Sequence, residues 1–242
     1  MITKMEDKKL PVIILLAVLI FVGVLLWTTD NDVGPVGGCD EVFVDGRDER
    51  EYELIEIDDR CWFAEDLRYG EGDPDLVEAE NRRQWEGAGV NSYPALMVDE
   101  NLYNWYAVES LDLCPDGWSV PTDDEWHSLE NHLSLEECNP DRTGSFGCYP
   151  AGIKLKGDSD IEIWNEESCI DSEYECSGFS ATPTGARYKS GTNFGEDIAF
   201  YWTSSESEDG ALFRNIRSGR GDVFRNDIDK SSGMAIRCIQ DE

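Results

Sequence analysis

The sequence predicts an α+β fold of antiparallel sheets with one or two helices, held by disulfide bonds and preceded by one transmembrane helix. Strand-like segments, separated by glycines and acids at short intervals, fill the C-terminal third of the 242-residue chain. One segment, which follows Thr122, has the pattern of an amphipathic helix. Eight cysteines, an even number, suit a chain that leaves the cytoplasm. With 40% hydrophobic residues and 8 Trp, the chain can form a core despite its high charge.

The N-terminal residues 1–29 are predicted to be a cytoplasmic stub and a membrane anchor. Pro11–Trp27 carries no charge and, with its two neighbours, approaches the ~20 residues that cross a bilayer. Lysines precede this segment and acids follow it, so the C-terminal domain is expected outside the cytoplasm, at the cell surface or in the periplasm. A cleaved signal peptide is the alternative, but its apolar region is usually shorter and ends in small residues. Residues 30–38 are interpreted as a linker.

The charge excludes two classes of partner. The chain has 52 acidic and 20 basic residues, and its formal net charge is -32. Nucleic acids and anionic lipid surfaces both require a basic footprint, which this composition lacks. We therefore expect no nucleic-acid partner and a membrane contact only through the N-terminal helix.

The folded part is predicted to begin at Cys39 with a hairpin. Two runs, Glu41–Val44 and Glu51–Ile57, alternate or nearly alternate around a polar turn. Cys39 and Cys61 flank this hairpin, and a disulfide between them would close its open end. Further along, the pattern allows a short helix at Leu76–Trp85.

The helix after Thr122 has a defined start. Thr122 and Glu125 have the spacing of a capping box, in which each side chain satisfies the other residue's backbone N–H. Trp126, Leu129 and Leu133 then form one apolar stripe that would dock the helix on the core. The aromatic run "NLYNWYAV" just before it favours a core position or strand over an exposed sugar-stacking platform.

Loop lengths favour particular disulfides. Eight cysteines allow 105 connectivities, and zinc binding would require closely spaced cysteine pairs that do not occur. Two cysteine pairs are each separated by a short loop, which favours a local disulfide in each. Two cysteines then remain for a long-range bond. With the hairpin pair, the predicted disulfides are Cys39 with Cys61, Cys114 with Cys238, Cys138 with Cys148, and Cys169 with Cys176.

The order of motifs resembles the Fibrobacter succinogenes major paralogous domain family. The resemblance covers nearly all of Val42–Asp241 and is most specific in "CPDGWSVPTDDEW", "YWTSSE" and "IRC". It implies a C-type-lectin-like domain over residues 39–242, exported and anchored on bacterial surfaces, with no established activity. Cys114 and Cys238 match family cysteines. The four cysteines from Cys138 to Cys176 are interpreted as an addition of this chain to the family pattern.

Enzymatic activity is not expected. His127 and His132 lie five residues apart, which turns them about 140° from each other on a helix and away from the geometry of a shared metal. The resemblance extends to formylglycine-generating enzymes, whose reaction needs two close thiols in the C-terminal core. Only Cys238 follows Cys176 here. Carboxylate pairs of the glycosidase type stay an open alternative.

An acidic segment and a tryptophan could each contribute to ligand binding. Asp158, Asp160 and Glu162 would share one face of an extended segment and could bind Ca²⁺, although a solvated acidic strand face is the favoured interpretation. Trp202 could stack on a sugar, but its strand resembles the family's core, which favours burial. No other cofactor is expected.

The sequence therefore predicts a membrane-anchored surface module for binding or adhesion, with a glycan or a protein as ligand. The alternatives are an exported hydrolase or formylglycine-generating-like oxidase, and a passive structural protein of the envelope.

Overall fold

Two short hairpins begin the folded part of the chain. The computed structural model describes Cys39 and residues 42–157, 164, 168–170, 172–195 and 197–242. Strand β1 (Phe43–Val44) pairs with β2 (Glu51–Tyr52), and β3 (Leu54–Ile57) pairs with β4 (Arg60–Phe63). The second hairpin turns through Asp58 and Asp59, whose φ angles are 56° and 58°. Short polar side chains tolerate this left-handed conformation, which a tight hairpin of matching twist requires.

The remaining elements have these bounds: β5 Val77–Ala79, α1 Arg82–Val90, β6 Ala95–Met97, a 3-10 turn Val98–Glu100, β7 Leu102–Asn104, α2 Trp105–Ser110, β8 Trp118–Ser119, α3 Asp123–Leu133, β9 Ser145–Gly147, α4 Ala151–Leu155, β10 Ala186–Arg187, β11 Asn193–Phe194, β12 Ile198–Glu206, β13 Ala211–Arg217, β14 Val223–Ile228, β15 Gly233–Met234 and β16 Ile239–Gln240. Beyond the β1-β2 hairpin, the strand orders are β11-β10-β15-β7-β6-β5, β12-β13-β14-β9 and β3-β4-β16-β8. The fold is thus mixed α+β with mostly antiparallel sheets, as predicted.

The last strand joins the beginning of the domain to its end. Ile239 of β16 lies opposite Trp62 of β4 on one side and Ser119 of β8 on the other. Cys238, which precedes this strand, is bonded to Cys114. The two ends of the folded chain therefore share one sheet.

Helix α3 begins where the sequence predicts. The side chain of Thr122 accepts a hydrogen bond from the backbone of Glu125, and the Glu125 carboxylate accepts one from the backbone of Thr122. Trp126, Leu129 and Leu133 are all buried. The predicted capping box and apolar stripe are confirmed.

The helix expected at Leu76–Trp85 begins later. Val77–Ala79 is a strand that pairs in parallel with β6, and the helix runs over Arg82–Val90. It starts there because the Asn81 side chain accepts hydrogen bonds from the backbone N–H groups of the next turn. A residue that caps a helix lies outside it, so the earlier start was wrong.

The described residues contain four α-helices where the sequence predicts one or two. Two of them, α2 and α4, have 6 and 5 residues and are too short to show a helical period. Helix α2 starts inside the aromatic run because the Asn104 side chain accepts from the backbone of Ala107. Trp105 and Tyr103 of this run are buried, in agreement with a core position.

Four disulfides hold the described fold. They join Cys39 to Cys61, Cys114 to Cys238, Cys138 to Cys148, and Cys169 to Cys176, the pairs favoured by the loop lengths. The loop closed by Cys138 and Cys148 contributes β9, which adds a fourth strand beside β14. The loop between Cys138 and Cys148 is therefore part of a sheet.

None of the helices within the described residues is long and apolar enough to cross a membrane. The predicted anchor at residues 1–29 and the linker at 30–38 lie outside those residues.

Candidate functional site

An open cleft of about 490 Å³ separates helix α1 from the loops that face it. Helix α1 and the turn after it form one wall, and the loop between β10 and β11 forms the other. The segment between β14 and β15 forms the floor, and α2 contributes one aromatic side chain. The lining residues are Glu86, Gly89, Val90, Ser92, Tyr106, Lys189, Ser190, Asp229 and Ser231.

Two glycines allow the wall to approach the floor. A Cβ atom on Gly89 would lie 2.8 Å from the Cβ of Ser231, and one on Gly233 would lie 2.6 Å from the Trp85 ring. Both distances are shorter than van der Waals contact, so only glycine permits this packing. Trp85 is buried and anchors α1 on the sheet. The floor and this wall are therefore fixed relative to each other.

The floor carries an ordered carboxylate. Asp229 Oδ1 accepts hydrogen bonds from the backbone N–H of Ser231 at 3.0 Å and from its hydroxyl at 2.6 Å. Lys189 Nζ lies 3.3 Å from Asp229 Oδ2. The bonds from Ser231 lower the pKa of Asp229, burial opposes them, and Lys189 adds to the lowering. The cleft therefore presents a carboxylate and an ammonium group at neutral pH.

The opposite wall is held by charged side chains behind it. Arg187 forms two hydrogen bonds with Glu100, at 2.7 and 2.5 Å, and donates another to the carbonyl of Gly191 at 2.9 Å. Arg82 donates to the carbonyl of Ser190. Tyr188, at the start of this loop, stacks on Phe194 with ring centroids 3.9 Å apart. These contacts pre-organise the loop that carries Lys189 and Ser190.

The cleft is lined by polar groups together with one apolar side chain. It offers hydroxyl groups, an amine, carboxylates and the exposed apolar side chain of Val90. The hydroxyl of Ser231 bonds to a carboxylate, but the lining contains no histidine that could activate it as a nucleophile. Within the described part of the chain, no three His, Cys, Asp or Glu side chains are placed to bind a metal ion.

The two histidines contact different parts of the chain. His127 Nε2 lies 3.1 Å from the carbonyl oxygen of Cys138, and His132 Nδ1 lies 3.0 Å from Asp58 Oδ1. Each ring therefore contacts a different loop, as the helical spacing predicts. Neither residue lines the cleft.

Trp202 is fully buried, as its strand position predicts, and its indole N–H donates to the carbonyl of Tyr103 at 2.8 Å. It is a core residue and offers no stacking surface. Asp158, Asp160 and Glu162, the residues of the calcium hypothesis, lie outside the described residues.

A buried ion cluster beneath α3 was missed by the sequence analysis. Arg214 Nη1 lies 2.6 Å from Asp123 Oδ1, and Arg225 Nη2 lies 2.8 Å from Asp123 Oδ2. Glu130, which is fully buried, pairs with both Arg142 and Arg214. The sequence does repeat "FRN" in β13 and in β14. Because Arg214 lies opposite Arg225 in the sheet, both arginines are on the face that α3 covers.

Comparison with known proteins identifies the family. Residues 55–240 match the Fibrobacter succinogenes major domain family. The comparison with curated proteins returns no match, and the comparison with solved structures returns none. The match covers well over half of the 242 residues and includes the four helices, the cleft and every strand from β4 to β16. The chain belongs to the Fibrobacter succinogenes major domain family.

Proposed function

We propose that this protein is an exported, membrane-anchored module for binding or adhesion, and that it binds a glycan in the cleft beside α1. The observation that carries the proposal is the cleft itself. Hydroxyl, amine and carboxylate groups converge there on walls fixed by glycine packing and by Arg187. Glycans are recognised by such polar groups held in place before the ligand arrives, with apolar surface beside them.

A C-type-lectin-like fold belongs to this proposal. Two features support it: the last strand returns to pair with β4 near the domain's start, and Cys114–Cys238 fastens that strand. Family membership supports it through the resemblance of the motifs. Fold kinship alone does not imply sugar binding, so the ligand rests on the cleft.

The location is proposed from two independent features. Pro11–Trp27 has the length and composition of a membrane anchor, with lysines on its N-terminal side. Four disulfides support a domain that folds in an oxidising compartment, since reducing cytoplasm keeps thiols free. Together they favour a domain displayed outside the cytoplasm.

The test is a broad glycan array probed with the full-length protein and two lysine variants. Lys189→Ala removes the ammonium group of the cleft, and Lys154→Ala removes a lysine of α4 that does not line it. We expect the wild type to bind a defined set of glycans, Lys189→Ala to lose most of that signal, and Lys154→Ala to retain it. A flat array together with a flat pull-down of surface proteins would contradict a binding function and leave a structural envelope role.

A further inference from the structure

A second surface, away from the cleft, combines arginines with aromatic rings in an otherwise acidic protein. It lies at the β9 edge of the sheet β12-β13-β14-β9, on the face opposite the buried ion cluster. Phe146 of β9 is directly opposite Phe224 of β14, and their ring centroids are 4.9 Å apart. Both rings are half-buried. We call Phe146, Phe224, Arg217 and Arg220 the edge surface.

Both arginines of the edge surface lie over the rings. The Arg217 guanidinium is 5.1 Å from the Phe146 centroid and 5.2 Å from that of Phe224, and the Arg220 guanidinium is 4.0 Å from Phe146. An arginine stacked on aromatic rings keeps its donor edge directed away from them. The rings therefore position both guanidinium groups.

Within the described part of the chain, Arg217 pairs with no carboxylate. Arg220 forms two hydrogen bonds with Asp222, each 2.9 Å long. Arg217 instead uses its Nε to donate to Asn215 Oδ1 at 3.0 Å, and no carboxylate among the described residues lies within ion-pairing distance of it. Burial lowers the pKa of Arg217, and the charge of Asp197 opposes that shift. No acceptor among the described residues lies within hydrogen-bonding distance of the Nη donors of Arg217.

A second unfilled donor lies beneath it. Asn215 is 1% exposed, and its Nδ2 has no hydrogen-bond partner among the described residues. Its register places it beside Phe224, on the same face of the sheet as Arg217. This amide nitrogen is enclosed by the fold, while Asn215 Oδ1 accepts from Arg217 Nε and holds the guanidinium in place.

We propose that the edge surface binds an acidic polysaccharide, with Arg217 contacting a carboxylate or sulfate ester group of one sugar. The planar guanidinium fork matches both of these groups, and the rims of Phe146 and Phe224 suit the C–H faces of a sugar ring. Phe146 belongs to the loop closed by Cys138 and Cys148, so the insertion completes this site. The site is independent of the cleft and its glycan.

The net charge does not prevent such binding. At physiological salt the screening length is about 8 Å, so the groups near Arg217 decide the local potential. Nucleic acid is a poorer candidate, since its tight binding requires many basic contacts along the backbone and only two arginines are present here. A polysaccharide carries its charges on separate sugars, so one strong contact per protein molecule suffices for each sugar. Several protein molecules on one polymer then raise the overall avidity.

The test measures binding of the full-length protein, kept in a non-ionic detergent, to polyglucuronate and to dextran sulfate, with neutral dextran as the control. The first polymer carries carboxylates and the second carries sulfate esters, so the comparison identifies which anion is preferred. The variants are Arg217→Gln, Arg217→Lys and, as the matched control, Arg83→Gln. Arg83 is an exposed arginine of α1 that does not contribute to the edge surface.

We expect Arg217→Gln to weaken binding of the preferred polymer about tenfold or more. Arg217→Lys should give an intermediate loss because the charge stays and the fork is lost, and Arg83→Gln should leave affinity unchanged. Equal losses in Arg217→Gln and Arg83→Gln, or no binding of either acidic polymer by the wild type, would overturn the proposal. Thermal unfolding confirms that each variant is folded. Retention of the array signal by Arg217→Gln separates this site from the cleft.

Discussion

Glu130 carries a charge that is buried and paired in the folded protein. It is fully buried on α3 and its two oxygens pair with Arg142 and Arg214. Removing one partner of a buried ion pair leaves charges without compensation and costs about 3 to 5 kcal/mol. We therefore expect Glu130→Gln to lower the free energy of unfolding by about that amount, as measured by urea denaturation.

The matched control is Glu208→Gln, since Glu208 is exposed. It should change the free energy of unfolding by less than about 0.5 kcal/mol. Equal stability of the two variants would show that the buried ion cluster contributes little to the free energy of unfolding.

Asp123 makes stability depend on pH. Burial opposes its ionisation, but hydrogen bonds and charges from Arg225 and Arg214 outweigh burial and lower its pKa. The folded pKa thus lies below the unfolded value of about 3.9. The ionised carboxylate stabilises the fold above about pH 4, and this stabilisation is lost as the pH falls through the folded pKa.

We expect the free energy of unfolding to fall steeply below about pH 4, and Asp123→Asn to flatten that decline. Denaturation curves between pH 2 and 6 measure both slopes. Asp209→Asn, at an exposed position, should keep the wild-type slope. Identical slopes in all three proteins would show that Asp123 is not linked to folding.

Sequence reasoning at the residue scale identified local partners more readily than distant ones. Thr122 and Glu125 are three residues apart, and their reciprocal bonds follow from that spacing. Arg214 and Glu130 are 84 residues apart, and their contact depends on how α3 lies on the sheet. Glu130 follows Trp126 by four residues, so the apolar stripe itself placed this acid toward the core.

At the scale of elements, Gly233 sets how closely α1 packs on β15. A methyl group at this position would meet the Trp85 ring at 2.6 Å. Forcing extra volume into a packed contact costs about 1 to 3 kcal/mol. Gly233→Ala should therefore lower the melting temperature and weaken ligand binding in the cleft together, because Trp85 anchors one wall.

Gly46→Ala is the control for this substitution, since nothing lies within 4 Å of a Cβ at that position. Calorimetry should show an unchanged melting temperature for it. A Gly233→Ala protein as stable as the wild type would mean that α1 can shift freely, contrary to the fixed wall described here.

The disulfides differ in how much of the chain each one constrains. Cys114 and Cys238 are separated by 124 residues, and Cys138 and Cys148 by 10. By loop entropy the long closure stabilises by about 4 to 5 kcal/mol and the short one by about 2 to 3. Replacing each pair with alanines should reproduce this order in urea denaturation. The reverse order would indicate that local constraint of β9 matters more than closure of the long loop.

The long helix with a capping box was predictable, and the shorter elements were not. Helix α3, with 11 residues, shows its stripe and its cap in the sequence. Helix α1 begins later than predicted, because its start depends on the side-chain cap at Asn81. Strands β5 and β6 have 3 residues each and pair in parallel. Segments this short show no periodic pattern in the sequence.

At the scale of the whole molecule, composition and motif order predicted the α+β class and the family, but not the cleft. The cleft is built from four separate segments, at residues 86–92, 106, 189–190 and 229–231. No two of these segments adjoin in sequence, and none carries a motif of known chemistry. Their convergence follows from the sheet order, in which β10, β15 and β7 are neighbours. A site assembled in this way becomes visible only in three dimensions.

The measurement that tests the central proposal most directly is hydrogen exchange of the full-length protein with and without its best-bound glycan. If the cleft is the binding site, protection should increase in residues 86–92, 188–191 and 229–231, while β1 and β2, at residues 43–52, should stay unchanged. Protection confined to other segments, or absent at saturating glycan, would contradict the assignment of the cleft as the ligand site.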